Sequence, residues 1–176
     1  MGSDETRTAA GPGRARLEAY RKGEATAILL ADHDWLRAAL AELRRRALAA
    51  GERADLEALA ESIWQVVQEH SQVEEQVYFP GVERLLAEAG RHNPMVQAMA
   101  AEHDALPERY RQLQQSLASS TDLLPAIDAF ARALLVHFDN EEDLVFEEAM
   151  ELERASGDSS LARAVGAFLG ITGEEG

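Results

Sequence analysis

Hydrophobic side chains recur along this chain at alternating steps of three and four residues, the spacing of one face of an α-helix. Four such stripes occur, and each carries one histidine. They are Leu29, His33, Leu36, Leu40, Leu43, Ala47; then Leu56, Leu59, Ile63, Val66, His70, Val73, Val77; then Val96, Met99, His103, Leu106, Tyr110, Leu113, Leu117; and finally Ile127, Phe130, Leu134, His137, Glu141, Leu144. The pattern predicts four amphipathic helices with histidine at positions where Leu or Val is usual.

Two of these histidines are followed four residues later by a glutamate, in the pairs His70/Glu74 and His137/Glu141. Residues four apart on a helix lie roughly 6 Å from each other, so each pair can face one object. A lone histidine in a helical core more often makes a hydrogen bond than binds a metal. Because buried imidazoles and carboxylates are costly unless they are paired or bind a metal, four histidines on four stripes favour a metal centre.

The histidines also share a register. His33 and His70 are equally far from the expected turn at Gly51 and Glu52, and His103 and His137 are equally far from Ser120. Antiparallel helices of equal rise would therefore place each pair at one height. We predict an all-α fold, an antiparallel up-down-up-down four-helix bundle with short extra helical segments at the termini.

Gly, Pro and capping residues divide the chain into a disordered tail at 1–13, the bundle at 14–156, and a short C-terminal helix and tail at 157–176. An interior proline cannot donate to the helical ladder, so the second helix is expected to stop at Phe79-Pro80-Gly81. Val82–Ala89 is then either a kinked continuation or a separate connector. The main helices are expected at Glu24–Ala50, Ala54–Phe79, Pro94–Ser119 after an Asn93 cap, and from a Thr121 or Asp122 cap to Arg154, with short segments at Leu17–Arg21 and Ser160–Leu169.

The net charge and the cysteine content limit which partners and which kinds of metal site the chain can have. The 176 residues carry a net charge of -15, with a pI near 4.7. This charge argues against binding to nucleic acid or to an anionic membrane, since both require a basic surface. The chain has no apolar run that could span a bilayer and no apolar segment of a secretory signal near its start, so a cytoplasmic monomer or weak homodimer is expected. With no cysteine, any metal must be held by nitrogen and oxygen, which suits iron or manganese and, less distinctively, zinc.

Other polar residues near the stripes have less specific roles. His92 lies off every stripe, in a loop, and is expected at the surface. Several acidic residues beside the candidate ligands are expected to be solvated, with one or two orienting an imidazole N–H. They are Asp32, Asp34, Glu75, Asp139 and Glu142.

Four sequence blocks together resemble the metal-binding segments of the hemerythrin-like, or HHE cation-binding, domain. They are DHDWLR (Asp32–Arg37), HSQVEEQVYFP (His70–Pro80), EHDAL (Glu102–Leu106) and HFDNEEDLVF (His137–Phe146). The similarity covers about residues 24–152. It implies a four-helix bundle with a non-haem centre of two oxo- or hydroxo-bridged iron ions, for which manganese or zinc could substitute. His33, His70, His103 and His137 would be terminal ligands, and Glu74 and Glu141 would bridge the metals.

The same resemblance bears on activity. Hemerythrins that carry oxygen have a second histidine four residues after the one on the third helix, where this chain has Pro107, and an Asp five residues after the histidine of the fourth helix, where this chain has Glu141 at the fourth. The four-His, two-Glu set is closer to bacterial di-iron proteins of iron-centre repair and of oxidative or nitrosative stress. It implies binding or turnover of dioxygen, peroxide or nitric oxide. Oxygen or redox sensing, or iron storage without turnover, is the alternative, and a metal-free interaction domain is the plainest one.

The expected ligand set leaves room for such a molecule. Four imidazoles, two bridging carboxylates and an oxo bridge fill about ten of the roughly twelve positions of two six-coordinate ions, which leaves about one for each metal. Tyr110 is expected to pack near the site, or else to donate a hydrogen bond or an electron to bound oxygen. The expected pocket is small and apolar, with walls from Leu36, Leu40, Val73, Val77, Leu106, Tyr110, Leu134 and Phe138.

Overall fold

The chain is all-helical throughout the part that the structure, a computed structural model, describes, namely residues 11–119 and 123–171. We number its α-helices in chain order. They are α1 (Gly13–Tyr20), α2 (Ala25–Leu48), α3 (Arg53–Val73), α4 (Phe79–Glu88), α5 (Met95–Glu102), α6 (Leu106–Ser119), α7 (Leu123–Glu141), α8 (Glu147–Ser156) and α9 (Ser160–Phe168). A π-turn at Glu74–Tyr78 joins α3 to α4, a 3-10 turn at His103–Ala105 joins α5 to α6, and a second π-turn at Glu142–Phe146 joins α7 to α8. The prediction of an all-α fold is confirmed for the described residues.

Four long helical stretches surround the core. Helix α2 packs against α3 and α7, and α6 also packs against both α3 and α7, so that the four form a closed ring. The short helices α1 and α9 cover one end of this ring, where both contact α2. None of the described helices is both long and apolar enough to cross a membrane.

The core is divided into two hydrophobic clusters. The turn-side core lies near the α2–α3 and α6–α7 connections and contains Trp35, Leu36, Ala39, Leu40, Leu43, Leu56, Leu59, Ala60, Ile63, Val66, Val67, Leu106, Tyr110, Leu113, Leu117, Ile127, Phe130, Leu134 and Phe138. The terminal-side core lies at the other end and contains Ala19, Ala25, Ile28, Leu29, Val73, Tyr78, Phe79, Val82, Leu85, Leu86, Val96, Met99, Val145, Phe146, Ala149, Leu161, Ala162 and Val165. The stripe histidines fall between the two clusters along the helices that carry them.

The π-turns change which residues face the core. In each, a backbone N–H bonds five residues back instead of four, from Phe79 to the Glu74 carbonyl and from Glu147 to the Glu142 carbonyl. Such a turn holds one extra residue, so the buried face moves by one position along the sequence. The predicted stripe position Leu144 is therefore wrong by one residue, while Val77 stays partly buried against the terminal-side core and Tyr78 takes the fully buried position. Tyr78 and Val145 are 0% and 1% exposed, whereas Leu144 is 42% exposed.

Helix α4 corrects the expected stop at Pro80. The chain stays helical through Phe79-Pro80-Gly81, so Val82–Ala89 belongs to a continuation and is not a separate connector. Pro80 lies in the first turn of α4, directly after the π-turn, where a missing N–H is tolerated. The proline is thus accommodated at a place where the ladder of hydrogen bonds is already being rearranged.

The end of α2 and the start of α5 lie close to where the sequence predicts them. Helix α2 ends at Leu48, and the left-handed residue after it is Ala50, with φ of 53°, while Gly51 donates to the Arg46 carbonyl at 3.0 Å. At the start of α5 the Asn93 side chain accepts a hydrogen bond from the Met95 amide, as a capping residue does. The Thr121 and Asp122 caps and residues 1–10 of the predicted tail lie outside the described residues.

Candidate metal centre

The structure brings all six predicted site residues together in the layer between the two cores. Every one of them is buried, with at most 6% exposure. Their donor atoms form two groups in which one atom from each residue lies within 4.8 Å of the others. One group is His33, His70, Glu74 and Glu141, and the other is Glu74, His103, His137 and Glu141. The two glutamates belong to both groups, which is the arrangement needed to hold two metal ions side by side.

The histidines enter this layer as two facing pairs. The Nε2 atoms of His33 and His70 are 3.0 Å apart, and so are those of His103 and His137. Glu74 Oε2 lies 3.3 Å from both His70 Nε2 and His103 Nε2. The glutamate therefore reaches across from one pair to the other.

The carboxylates provide the strongest evidence that these residues fit a metal. All four side-chain oxygens of Glu74 and Glu141 are buried and have no hydrogen-bond partner. A buried carboxylate without a partner is among the costliest groups a protein can hold, and a bound cation removes that cost. Imidazole nitrogen and carboxylate oxygen, without thiolate, are donors typical of non-haem iron and of manganese.

Electrostatics within the first histidine pair favour one neutral and one charged ring. Burial lowers the pKa of His33 to about 4. Burial acts in the same direction on His70, but the Glu74 and Asp32 carboxylates outweigh it and hold the pKa of His70 well above its usual value. Without a metal, a proton on His70 can thus be shared between the two facing nitrogens.

In the second histidine pair, and in the pair of glutamates, one pKa is again raised and the other lowered. Burial lowers the pKa of His137, whereas nearby carboxylates raise the pKa of His103 despite its burial. Burial also raises the pKa of Glu141 well above its usual range, while the neighbouring imidazoles outweigh burial and hold the pKa of Glu74 low. A metal must displace the protons held at these atoms, so its affinity falls as the pH falls.

A ring of four outer carboxylates orients the four imidazoles. Each histidine donates its Nδ1 hydrogen to a carboxylate, which leaves Nε2 free to bind a metal. Each carboxylate stands next in sequence to a candidate ligand and bonds the histidine of another helix. The pairs are Asp32 with His70 at 3.2 Å, Glu75 with His103 at 2.8 Å, Glu102 with His137 at 3.0 Å, and Glu142 with His33 at 2.7 Å.

This ring corrects the expectation for the acidic neighbours. Asp32, expected at the solvated surface, is fully buried. Glu102 was not predicted at all, although its position directly before His103 matches that of Asp32 before His33. Asp34 and Asp139 are exposed, as expected. All four positions in the ring are filled, where only one or two were expected.

The centre also contains a local repeat. The segments His70–Phe79 and His137–Phe146 share the pattern His-x-x-x-Glu-Glu-x, then two apolar residues, then Phe. The Glu pair supplies one inner and one outer carboxylate, and a π-turn follows in both cases. The final ring of each segment stacks on a histidine of another helix, Phe79 on His103 and Phe146 on His33. The two halves of the centre are thus built alike.

Tyr110 has a different environment from the one expected. Its hydroxyl donates to Glu61 Oε2 at 2.6 Å, and its ring stacks on Trp64 with 4.6 Å between centroids. Burial and the Glu61 carboxylate raise the pKa of Tyr110 well above its usual value, so it remains a neutral donor to that carboxylate. Its packing role is borne out, and no contact aims its hydroxyl at the centre. Phe79 and Phe146, which sequence reasoning missed, stack on His103 and His33.

Comparison with known proteins gives one match. The family model described as the hemerythrin HHE cation binding domain matches residues 24–163. No curated protein and no solved structure gives a significant match. The match spans all six candidate ligands and all four outer carboxylates, and it begins after α1.

Proposed function

The chain belongs to the hemerythrin family of HHE cation-binding domains, and on that premise we propose that it is a non-haem di-iron protein. His33, His70, His103 and His137 would each bind one iron through Nε2. Glu74 and Glu141 would bridge the two ions. In this proposal the protein binds or turns over a small oxidant, namely dioxygen, peroxide or nitric oxide, in stress defence or in repair of iron centres.

The observation that carries the proposal is the set of four buried carboxylate oxygens without partners. They face four imidazole nitrogens whose other ring atoms are already bonded, so that both kinds of donor point inward. A purely structural polar layer would satisfy these oxygens within the protein. Iron, when bound, would supply one-electron redox chemistry and a site for a small ligand.

The protein's own residues restrict what can reach the centre. Phe138 lies over His33 at 4.2 Å between ring centroids, and Phe146 lies on the same imidazole at 5.3 Å. Tyr78 is fully buried beside Phe146. These rings leave an apolar surrounding that suits a diatomic molecule or peroxide and excludes larger substrates.

Pro107 argues for reactivity over reversible oxygen carriage. A histidine four residues after His103 would add a fifth imidazole, but proline has no ligating side chain. Pro107 also affects the backbone, because it has no N–H to donate to the His103 carbonyl. That carbonyl instead accepts a hydrogen bond from the Leu106 N–H in a 3-10 turn. With four imidazoles, neither metal would be saturated by protein.

The proposal also includes the antiparallel up-down-up-down order of the four helices. It is supported by the facing pairs, because His33 meets His70 and His103 meets His137, as equal distances from the connecting turns require. We further propose a cytoplasmic protein that acts as a monomer or weak homodimer and binds neither nucleic acid nor membrane, in keeping with its net charge of -15.

Stopped-flow mixing tests the activity. Apoprotein is loaded with ferrous iron without oxygen and mixed separately with oxygen, hydrogen peroxide and nitric oxide. We expect rapid reaction with peroxide or nitric oxide, and oxidation in air without a long-lived adduct. The exposed-histidine variant His92→Ala should behave identically. A stable adduct that releases oxygen intact under vacuum would establish a carrier, and no reaction with any of the three would favour storage.

A further inference from the structure

The centre has two halves, the pair His33 and His70 and the pair His103 and His137. The two halves differ at the position four residues after His33 and after His103. This position is Arg37 in one half and Pro107 in the other. Arg37 donates from Nη1 to Glu142 Oε1 at 2.7 Å. That same oxygen accepts the Nδ1 hydrogen of His33. In the other half, proline has no donor with which to do the same.

A second arginine acts on the same half. Arg16, from α1, is buried and binds Asp32 through two nitrogens, with Nη2 2.9 Å from Oδ2. Asp32 Oδ2 is also the atom that accepts from His70 Nδ1. A further nitrogen of Arg16 pairs with Glu69. Arg16 lies outside the residues 24–163 that match the family model.

The carboxylates of the other half have no such partner. Within the described ranges, Glu75 and Glu102 each bond a histidine and no arginine or lysine. Their side chains are 48% and 42% exposed, whereas that of Asp32 is fully buried. Each of them can therefore give its full hydrogen-bonding capacity to the imidazole and to water.

Sharing an oxygen with arginine weakens what the carboxylate does for the histidine. A carboxylate that accepts an imidazole N–H makes that ring a better metal donor, and a guanidinium on the same oxygen withdraws part of this effect. The fixed positive charge also repels a cation nearby. Both effects fall on His33 and His70.

Aromatic cover adds to the difference. Phe138, directly after His137, stacks on His33, and the Arg37 guanidinium lies 5.7 Å from the Phe138 ring centre. The corresponding residue after His70 is Ser71. His33 thus has two aromatic neighbours, Phe138 and Phe146, where His103 has Phe79, and this cover limits the water that could solvate a cation beside His33.

We propose that the two metal positions are inequivalent, and that the position at His103 and His137 takes up its metal first because Arg16 and Arg37 weaken the other. The arginines are positioning residues, since they act through Asp32 and Glu142. This inference rests on the proposed two-metal centre. It gives α1 a defined part in that centre.

Anaerobic calorimetric titration of the full-length apoprotein with ferrous iron tests the inference. Two cations that share glutamates repel each other, so two binding steps alone prove nothing. Arg37→Met removes the charge and keeps an aliphatic side chain. We expect the iron affinity of the second step to rise by about tenfold and that of the first step to stay unchanged. Tenfold is the lower end of the roughly 10–100-fold effects on metal affinity that follow from changing residues that orient metal ligands.

A matched control is available on the same helix. Arg44 also bridges from α2 to α7, through Asp128 at 2.7 Å, but touches no outer carboxylate of the centre. Arg44→Met should leave both steps unchanged. Arg16→Met should also tighten the second step. Because it leaves buried Asp32 with one partner fewer, its folding is checked by circular dichroism, and the result for Arg37→Met decides whether the inference stands.

The order of filling is tested from the other half. Glu102→Gln removes the charged acceptor of His137 and should weaken the first step by about tenfold, without weakening the second. The inference is overturned if Arg37→Met leaves both steps within twofold of the wild type, or if Glu102→Gln acts on the second step. Binding of fewer than two iron ions by the wild type would instead refute the proposed function.

Discussion

The turn-side core and the terminal-side core obey the helical period to different degrees. In the turn-side core the predicted stripe from Leu36 to Leu43 is buried without a shift, and the 3-10 turn at His103–Ala105 leaves the predicted Leu106 and Tyr110 in the core. In the terminal-side core both π-turns begin at or directly after a candidate ligand, Glu74 or Glu141, and the buried face moves by one residue. The shift of the buried face thus starts at the metal layer and occurs on its terminal side.

The comparison separates two uses of buried residues. Leucines in the turn-side core stabilise the fold by removing apolar surface from water. Glu74 and Glu141 occupy equally buried positions, but their oxygens have no hydrogen-bond partner, so they cost stability unless a cation binds. Stability should therefore depend mainly on the first region and metal binding on the second.

The largest expected effect comes from the turn-side core. Leu113 is fully buried, and Leu113→Ala leaves a cavity there. We expect the free energy of unfolding to fall by about 2–5 kcal/mol, measured by denaturant titration of the metal-free protein, with the metal content unchanged. Leu48→Ala is the control, since Leu48 is 57% exposed. Loss of metal in folded Leu113→Ala protein would show that the two regions are not separable.

The metal layer should respond in the opposite direction. Glu141→Leu replaces a buried, unpartnered carboxyl with a side chain suited to a helical core. We expect the metal-free protein to become more stable by about 2 kcal/mol and the metal content to fall to one ion per chain or fewer. Full metal loading of this variant would contradict the bridging role of Glu141. His92→Ala should change neither quantity.

The smallest effect concerns the origin of the π-turns. The turn at Glu142–Phe146 forms with no proline nearby, so Pro80 is not needed to explain its counterpart at Glu74–Tyr78. We expect Pro80→Ala to change the free energy of unfolding by less than about 1 kcal/mol and to leave metal content intact. If metal is lost from Pro80→Ala, the proline helps to set the position of Glu74 and the parallel between the two turns fails.

The sequence predicted the six site residues' placement because each follows from a helical period or a four-residue spacing. The shift from Leu144 to Val145 could not be predicted in the same way, since a constant helical period does not indicate where a π-turn adds one residue. The burial of Asp32 could not be predicted either, because its partner Arg16 comes from a separate short helix.

The most direct test of the central claim is the number of metal ions bound by the wild-type protein. Protein produced with iron supplied is purified and its iron, manganese and zinc are counted by inductively coupled plasma mass spectrometry against protein concentration. The six converging donors predict close to two metal ions per chain, mainly iron. Fewer than one per chain, in preparations supplied with iron and with manganese alike, would contradict a two-metal centre.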